Sequence, residues 1–214
     1  MKLNTLSITA LALLSAVSTQ AQVLAEWAFT GDTDAATTVA TSVTAGDVTV
    51  NNITFNAFGG QGDTPPTRTF NGWSLNSTLT VADEEYVSFT LQADTGFELN
   101  LTEFSFDSSR NANGPETYDV RYSIDNFATT IGTGATTNNA VTLTTNSIVL
   151  SDTGITDLVE FRIYGTGATG NAFGALRLDD IAVSGTVTVP ELSSASLIAG
   201  LLGVAACTLR RRRS

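Results

Sequence analysis

The chain has 214 residues, with 10 basic and 21 acidic side chains, a formal net charge of -11, no histidine and one cysteine. With its one lysine at Lys2 and its cysteine at Cys207, it cannot assemble Ser-His-Asp or Cys-His catalysis in its body, a disulfide or an ordinary histidine-thiolate zinc site. Its acidity speaks against nucleic acid as a partner.

At the amino end, Lys2 precedes an apolar segment from Leu6 to Val17 and a small-residue exit, Thr19-Gln20-Ala21. This reads as a signal peptide over residues 1–21, passed through the Sec translocon and cut after Ala21. The body that follows, 22–188, has the length of one domain with a substantial core. Without Lys2, Arg210–Arg213 and Glu191, five arginines (68, 110, 121, 162 and 177) face 20 acidic residues, a net charge near -15.

Val23 to Phe29 reads as a first strand, and the Thr/Ala/Asp/Gly-rich connection through Gly46 as a long loop with one short strand inside. Val48 to Phe55 is a strand interrupted at Asn51-Asn52. Gly59 to Pro66 is a surface loop, followed by short extended pieces at Arg68 to Leu75 and Leu79 to Val81. In Tyr86 to Gln92, Val87, Phe89 and Leu91 share one face while Ser88, Thr90 and Gln92 share the other, the pattern of a half-buried strand.

Phe97 to Phe106 and Thr117 to Ile124 flank a loop from Ser108 to Pro115 and read as a long-looped hairpin, with Tyr118, Val120, Tyr122 and Ile124 on one side. Val141 to Leu150 and Leu158 to Tyr164 add two strands. In the second, Val159, Phe161 and Ile163 face the core and Glu160, Arg162 and Tyr164 face out. Ala175 to Thr188 is the last strand. Nine or ten short strands in one domain predict an all-β fold, an antiparallel β-sandwich of jelly-roll type, with the signal peptide before it and one transmembrane helix after it.

That final strand carries a phase break: Leu176 and Leu178 share one face, Ile181 and Val183 the other if the strand is regular. Both pairs reach the core only with an extra residue near Asp179-Asp180, a β-bulge. An aspartate turned inward there needs hydrogen-bond donors or a cation, and a structural calcium at Asp179 suits an oxygen-rich chain. The alternatives are an exposed pair, or Asp179 bridging Arg177 or Arg110; at the amino-terminal strand, only Glu26 or Asp32 offers itself as a second carboxylate.

The tail, 189–214, reads Val189-Pro190-Glu191-Leu192-Ser193-Ser194, an uncharged apolar run from Ala195 to Leu209, and Arg210-Arg211-Arg212-Arg213. From Leu192 the run gives about 18 helical residues, about 27 Å, enough to cross a bilayer once. The four arginines form a cytoplasmic stop that leaves the body outside.

This three-part tail resembles the PEP-CTERM sorting signal of Gram-negative bacteria, with Val189, Pro190 and Glu191 as its motif and Leu192 where the family usually has a second proline. The resemblance implies processing by an exosortase near Pro190 and Glu191 and delivery to the cell surface or its polysaccharide matrix. From Val23-Leu24-Ala25-Glu26-Trp27-Ala28-Phe29, through Phe104-Ser105-Phe106-Asp107-Ser108-Ser109-Arg110 and Tyr118-Asp119-Val120-Arg121-Tyr122-Ser123, to Phe161-Arg162-Ile163-Tyr164-Gly165 and Leu178-Asp179-Asp180-Ile181, the body also resembles an uncharacterised ectodomain of such proteins. That group carries no activity over. Leu178 to Val183 is similar to the last strand of several carbohydrate-binding jelly rolls, whose aspartate holds a structural calcium.

Three functions fit. The first is an exported, exosortase-processed, non-catalytic surface or matrix protein associated with exopolysaccharide. The second is a carbohydrate-binding, lectin-like module using Trp27, Trp73, Tyr86 or Tyr164 as platforms, each of which core packing also explains. The third is a glycosidase or lyase with paired carboxylates, for which no pair stands out: Asp83-Glu84-Glu85 reads as a solvated turn, and Glu160 with Arg162 as an exposed face paired with Asp119 and Arg121. No catalytic residue and no specific ligand contact is assigned. The glycines from Gly165 to Gly170 form a turn rather than a phosphate loop, since no Gly-Lys-Ser/Thr follows.

Overall fold

A computed structural model of the chain describes residues 20–30, 33–58, 67–73, 75–79, 85–138, 142–170 and 174–190. Asp32, the loop 59–66, Val81, Asp83, Glu84, Glu191, the apolar run and Arg210–Arg213 lie outside the described residues. Among the described residues, no helix is long and apolar enough to cross a membrane.

Two antiparallel sheets form a β-sandwich. The first runs β11 (Thr144–Val149), β8 (Glu98–Arg110), β13 (Ala175–Thr188), β1 (Gln22–Trp27), β2 (Thr38–Val39). On the β1 side of β13, the amino-terminal half of that strand pairs instead with β6 (Arg68–Asn71), which in turn pairs with β5 (Thr54–Phe58). The second sheet runs β10 (Gly132–Ala135), β9 (Thr117–Tyr122), β12 (Val159–Thr166), β7 (Tyr86–Ala93), with β3 (Val43–Ala45) and β4 (Thr49–Asn51) sharing the outer edge of β7.

Alternation decides what each strand buries. Val87, Phe89 and Leu91 on β7 and Phe161 and Ile163 on β12 are fully buried, meeting Leu24, Trp27, Phe104 and Phe106 of the first sheet. At the centre, Phe104 stacks on Phe161 at 4.9 Å and on Phe89 at 5.4 Å, and Trp27 closes on Phe89 at 5.3 Å. Rings offset in this way add to the gain from burial alone. One edge of the sandwich is closed by Arg68, buried and paired with Asp34 at 2.8 Å, its guanidinium 4.2 Å from the Phe55 ring.

The expected bulge is present. The β13–β8 register passes from Asp179↔Asp107 to Ala182↔Ser105, one residue more on β13, and Asp180 takes a left-handed φ of 44°. Leu176, Leu178, Ile181 and Val183 are all buried as a result. A second shift, between Ser184↔Glu103 and Gly185↔Leu101, places one extra residue on β8. It brings Leu99 and Leu101 to the core alongside Phe104 and Phe106.

Three expectations are corrected. β8 and β9 are not a hairpin, because β8 belongs to the first sheet and β9 to the second; the segment between them crosses the sandwich, and Phe106 meets Tyr118 edge to face at 5.1 Å across the gap. Ile124 lies in a 3-10 turn (Ser123–Asp125), 41 % exposed, instead of continuing the inward row of β9. The interrupted strand at Asn51-Asn52 is two strands in different sheets, and Asn52 turns the chain from one to the other with a φ of 55°.

Candidate ligand-binding face

On β7, β12 and β9, the residues between the core positions form the outer face of the second sheet. Register sets them in rows: Asp119, Tyr164, Tyr86 and Asn51 in one, Arg121, Arg162, Ser88 and Thr49 in the next, then Glu160 beside Thr90. Arg121 and Arg162 stand directly opposite each other, a repulsive placement unless each is neutralised. Each is, by the acid two residues earlier on its own strand. Arg162 donates to both Glu160 carboxylate oxygens, at 2.7 and 3.3 Å, and Arg121 donates to Asp119 at 2.8 Å. The cross-strand charge pairing expected between these strands is thus replaced by pairing along each strand, which period 2 permits because positions i and i+2 share a face.

The Arg162 guanidinium lies between two rings, 4.3 Å from the Tyr86 centroid and 3.6 Å from that of Phe127. Phe127 reaches this position from the turn after β9, where Asn126 and Phe127 both take left-handed backbone, φ 58° and 60°. Left-handed φ in a bulky residue is strained and persists only where its surroundings hold it. Here Arg121 Nη1 donates to the Phe127 and Ala128 carbonyls, each at 3.0 Å, and Asp125 accepts the Ala128 and Thr129 N–H groups at 3.2 and 2.9 Å. Thr130 completes the ring, accepting from Arg121 at 3.1 Å and donating to Asp119 at 2.6 Å.

Tyr164 does face out of the sandwich, as read from the alternation, yet it is fully buried, packed on Tyr86 at 5.3 Å. Burial raises its pKa, and the charge and hydrogen bonding of Arg162 oppose that. Tyr86 and Phe127 stay partly exposed. The face therefore offers two partly exposed rings, a guanidinium packed on both, two ion-paired carboxylates and the Thr49 hydroxyl, which lies 2.8 Å from that of the buried Ser88. Arg121, Arg162 and their two carboxylates are held in place before any ligand arrives.

Trp27 and Trp73 are fully buried, each indole N–H donating to a backbone carbonyl, of Gly46 at 2.9 Å and of Phe70 at 2.8 Å. They are core residues, not platforms. Phe127 is absent from the sequence candidates, because nothing in its isolated position after Asp125-Asn126 indicates which strand its ring covers.

Asp179 sits in the bulge, 1 % exposed, its Oδ1 accepting the Asp180 N–H at 2.9 Å. Among the described residues, no group of three or more His, Cys, Asp or Glu side chains is arranged to hold a metal ion. Of the sorting motif, Val189 is 65 % exposed and Pro190 is exposed, directly after β13; Glu191 lies outside the described residues.

No family model matches the chain, and no curated protein does. Among solved structures, it is similar to a family 4 carbohydrate-binding module at 10 % identity, over 65 % of this chain and 87 % of that one, with a TM-score of 0.43. It is similar to a family 29 carbohydrate-binding module from Piromyces equi at 8 % identity, over 78 % and 91 %, with a TM-score of 0.41. A third likeness is to a cleaved adhesin domain, K1, of Lys-gingipain from Porphyromonas gingivalis, at 14 % identity over 78 % and 97 %, with a TM-score of 0.38.

Proposed function

We propose that this chain is an exported, non-catalytic protein of the cell surface or extracellular matrix, whose jelly-roll sandwich binds polysaccharide through the outer face of its second sheet. The observation that carries the reading is Arg162, stacked between Tyr86 and Phe127 and held by Glu160. A sugar ring has an apolar C–H face, which packs on aromatic rings, and a rim of hydroxyls, which take hydrogen bonds from guanidinium and give them to carboxylates. A platform already fixed by its own ion pairs loses little side-chain freedom on binding.

The same pairing supports a binding role over a hydrolytic one. Glycoside hydrolysis needs one carboxyl held protonated beside a second that is free to attack or to activate water. Here Glu160 and Asp119 are each closed on an arginine. Screening the full chain on a glycan array tests the reading: retention of one polysaccharide class by wild type, lost in Tyr86→Ala, is the expected result. Equal signals from both proteins, or turnover of the bound glycan, would contradict it.

Export and sorting belong to the same proposal. An exosortase cut near Pro190 and Glu191 would fall just beyond Thr188, where β13 ends, leaving every described strand in the released body. Intact-mass measurement on surface material should give a protein lacking 1–21 and the segment from about Glu191 onward. Surface protein that still carries Arg210–Arg213 would replace sorting with a plain membrane anchor.

A further inference from the structure

Strand β11 ends the first sheet, and it is the longest strand in that position at either end of the two main strand orders. Its sequence, Thr144-Thr145-Asn146-Ser147-Ile148-Val149, carries no charge, no proline and no glycine. Exposed sheet edges are ordinarily protected by such residues, by shortness or by a cover, because their unpaired N–H and C=O groups template another strand. Among the described residues nothing pairs with the far side of β11, and Val149 is 86 % exposed, the most exposed of the large apolar side chains described.

Backbone parity shows what that edge offers. Leu150 donates its N–H to the Thr102 carbonyl, in line with the register Thr144↔Ser108 to Val149↔Glu103. Even-numbered residues of β11 thus turn their backbone groups toward β8, and Thr145, Ser147 and Val149 turn theirs to the free side. The same three carry their side chains on the outer face, since Ile148 is buried in the core against Gly132 of β10.

We infer that β11 pairs antiparallel with β11 of a second copy, about a two-fold axis through Ser147, joining two first sheets into one continuous sheet. In this register Thr145 meets Val149 of the other copy, Ser147 meets Ser147, and Val149 meets Thr145. All three are hydrogen-bonded pairs, giving six backbone bonds, and each exposed Val149 packs on a β-branched threonine. Two-fold registers centred elsewhere on the strand pair fewer of the three free-edge residues with one another; this one pairs all three and keeps outer side chains on the outer face. Charge selects no different partner: the strand has none, and the acidic body repels acidic proteins. That repulsion also acts between the copies, so the dimer strengthens as salt screens it. The pairing leaves the outer face of the second sheet open and stands independently of glycan binding.

Sedimentation velocity on the full chain, at about 0.01 M and about 1 M ionic strength, where the Debye length falls from about 30 Å to about 3 Å, tests this. A monomer–dimer equilibrium that shifts toward dimer at high salt is expected. Ser147→Pro removes a free-edge N–H, which edge strands tolerate, together with the exposed bond from the Ser147 hydroxyl to Glu103, and Val149→Lys places a charge on the contact. Each should weaken dimerisation at least tenfold, with the melting temperature near wild type. In a Cys207→Ala background, Ser147→Cys should form a disulfide-linked dimer, its partner about 5.5 Å away between Cα atoms. Thr145→Cys should not, its counterpart lying about 14 Å off, four residues along and one strand across. A monomer at every concentration and salt, a dimer unaffected by both edge variants, or cross-linking through Thr145→Cys but not Ser147→Cys would overturn the inference.

Discussion

Asp179 and Asp180 divide the work of one bulge. Asp179 is buried and caps its neighbour's N–H, while Asp180 is exposed and supplies the left-handed turn. Desolvation of its carboxyl, with Asp107 and Glu26 nearby, raises the Asp180 pKa above the ordinary carboxylate value although the residue as a whole is exposed. Between the unfolded and the folded pKa the native state therefore holds more protons than the unfolded chain, so stability falls as pH rises through that window. At neutral pH the ionised Asp180 is a net cost. Asp180→Asn keeps the shape and the tolerance of left-handed backbone, so it should melt higher than wild type at pH 7. The difference should close as pH drops below the usual carboxylate range; a variant that melts lower at pH 7 would contradict this. With Asp179 Oδ1 held by the Asp180 N–H, melts in calcium and in EDTA should coincide, and a rise with calcium would assign the expected cation to that residue.

At the scale of the element, β8 and β13 are two long strands paired along nearly their full length, with each bulge placed to correct the phase of the other apolar residues. The β13 bulge was legible because leucines at 176 and 178 and branched residues at 181 and 183 differ in parity. The β8 bulge carries the same signature, Leu99 and Leu101 against Phe104 and Phe106, and could have been read in the same way. What alternation could not reveal is which strand lies beside which. The inward rows of β8 and β9 look alike whether they share a sheet or face each other across the core. Of the candidate face, Glu160 and Arg162 were legible as an outward pair, but Phe127 was not, since its ring is brought over Arg162 by backbone strain and by contacts from Arg121. Phe104 touches rings from both sheets, so Phe104→Ala should cost about 3–5 kcal/mol in denaturant unfolding. A loss under about 1 kcal/mol would mean that the stacked rings are not the centre of the core.

For the whole molecule, a body with five arginines against 20 acids is self-repelling, and Arg68, Arg110, Arg121 and Arg162 each form an ion pair with a particular carboxylate. Screening should relieve the remaining repulsion, so the melting temperature should rise from about 0.01 M to about 0.1 M ionic strength. A fall would mean that the ion pairs outweigh it. The acidity, the sandwich and the fixed outer face of the second sheet support the proposal of an exported scaffold that offers a rigid polar and aromatic surface to glycans. Its most direct test is isothermal titration of the host's surface polysaccharide into wild type, Arg162→Lys and Asp180→Asn. Lysine keeps the charge but loses the planar fork and the stacking between rings. The account predicts binding at least tenfold weaker in Arg162→Lys, about 1.4 kcal/mol or more, with Asp180→Asn on the opposite sheet unchanged. Equal affinity in all three proteins, or no heat from wild type, would contradict it.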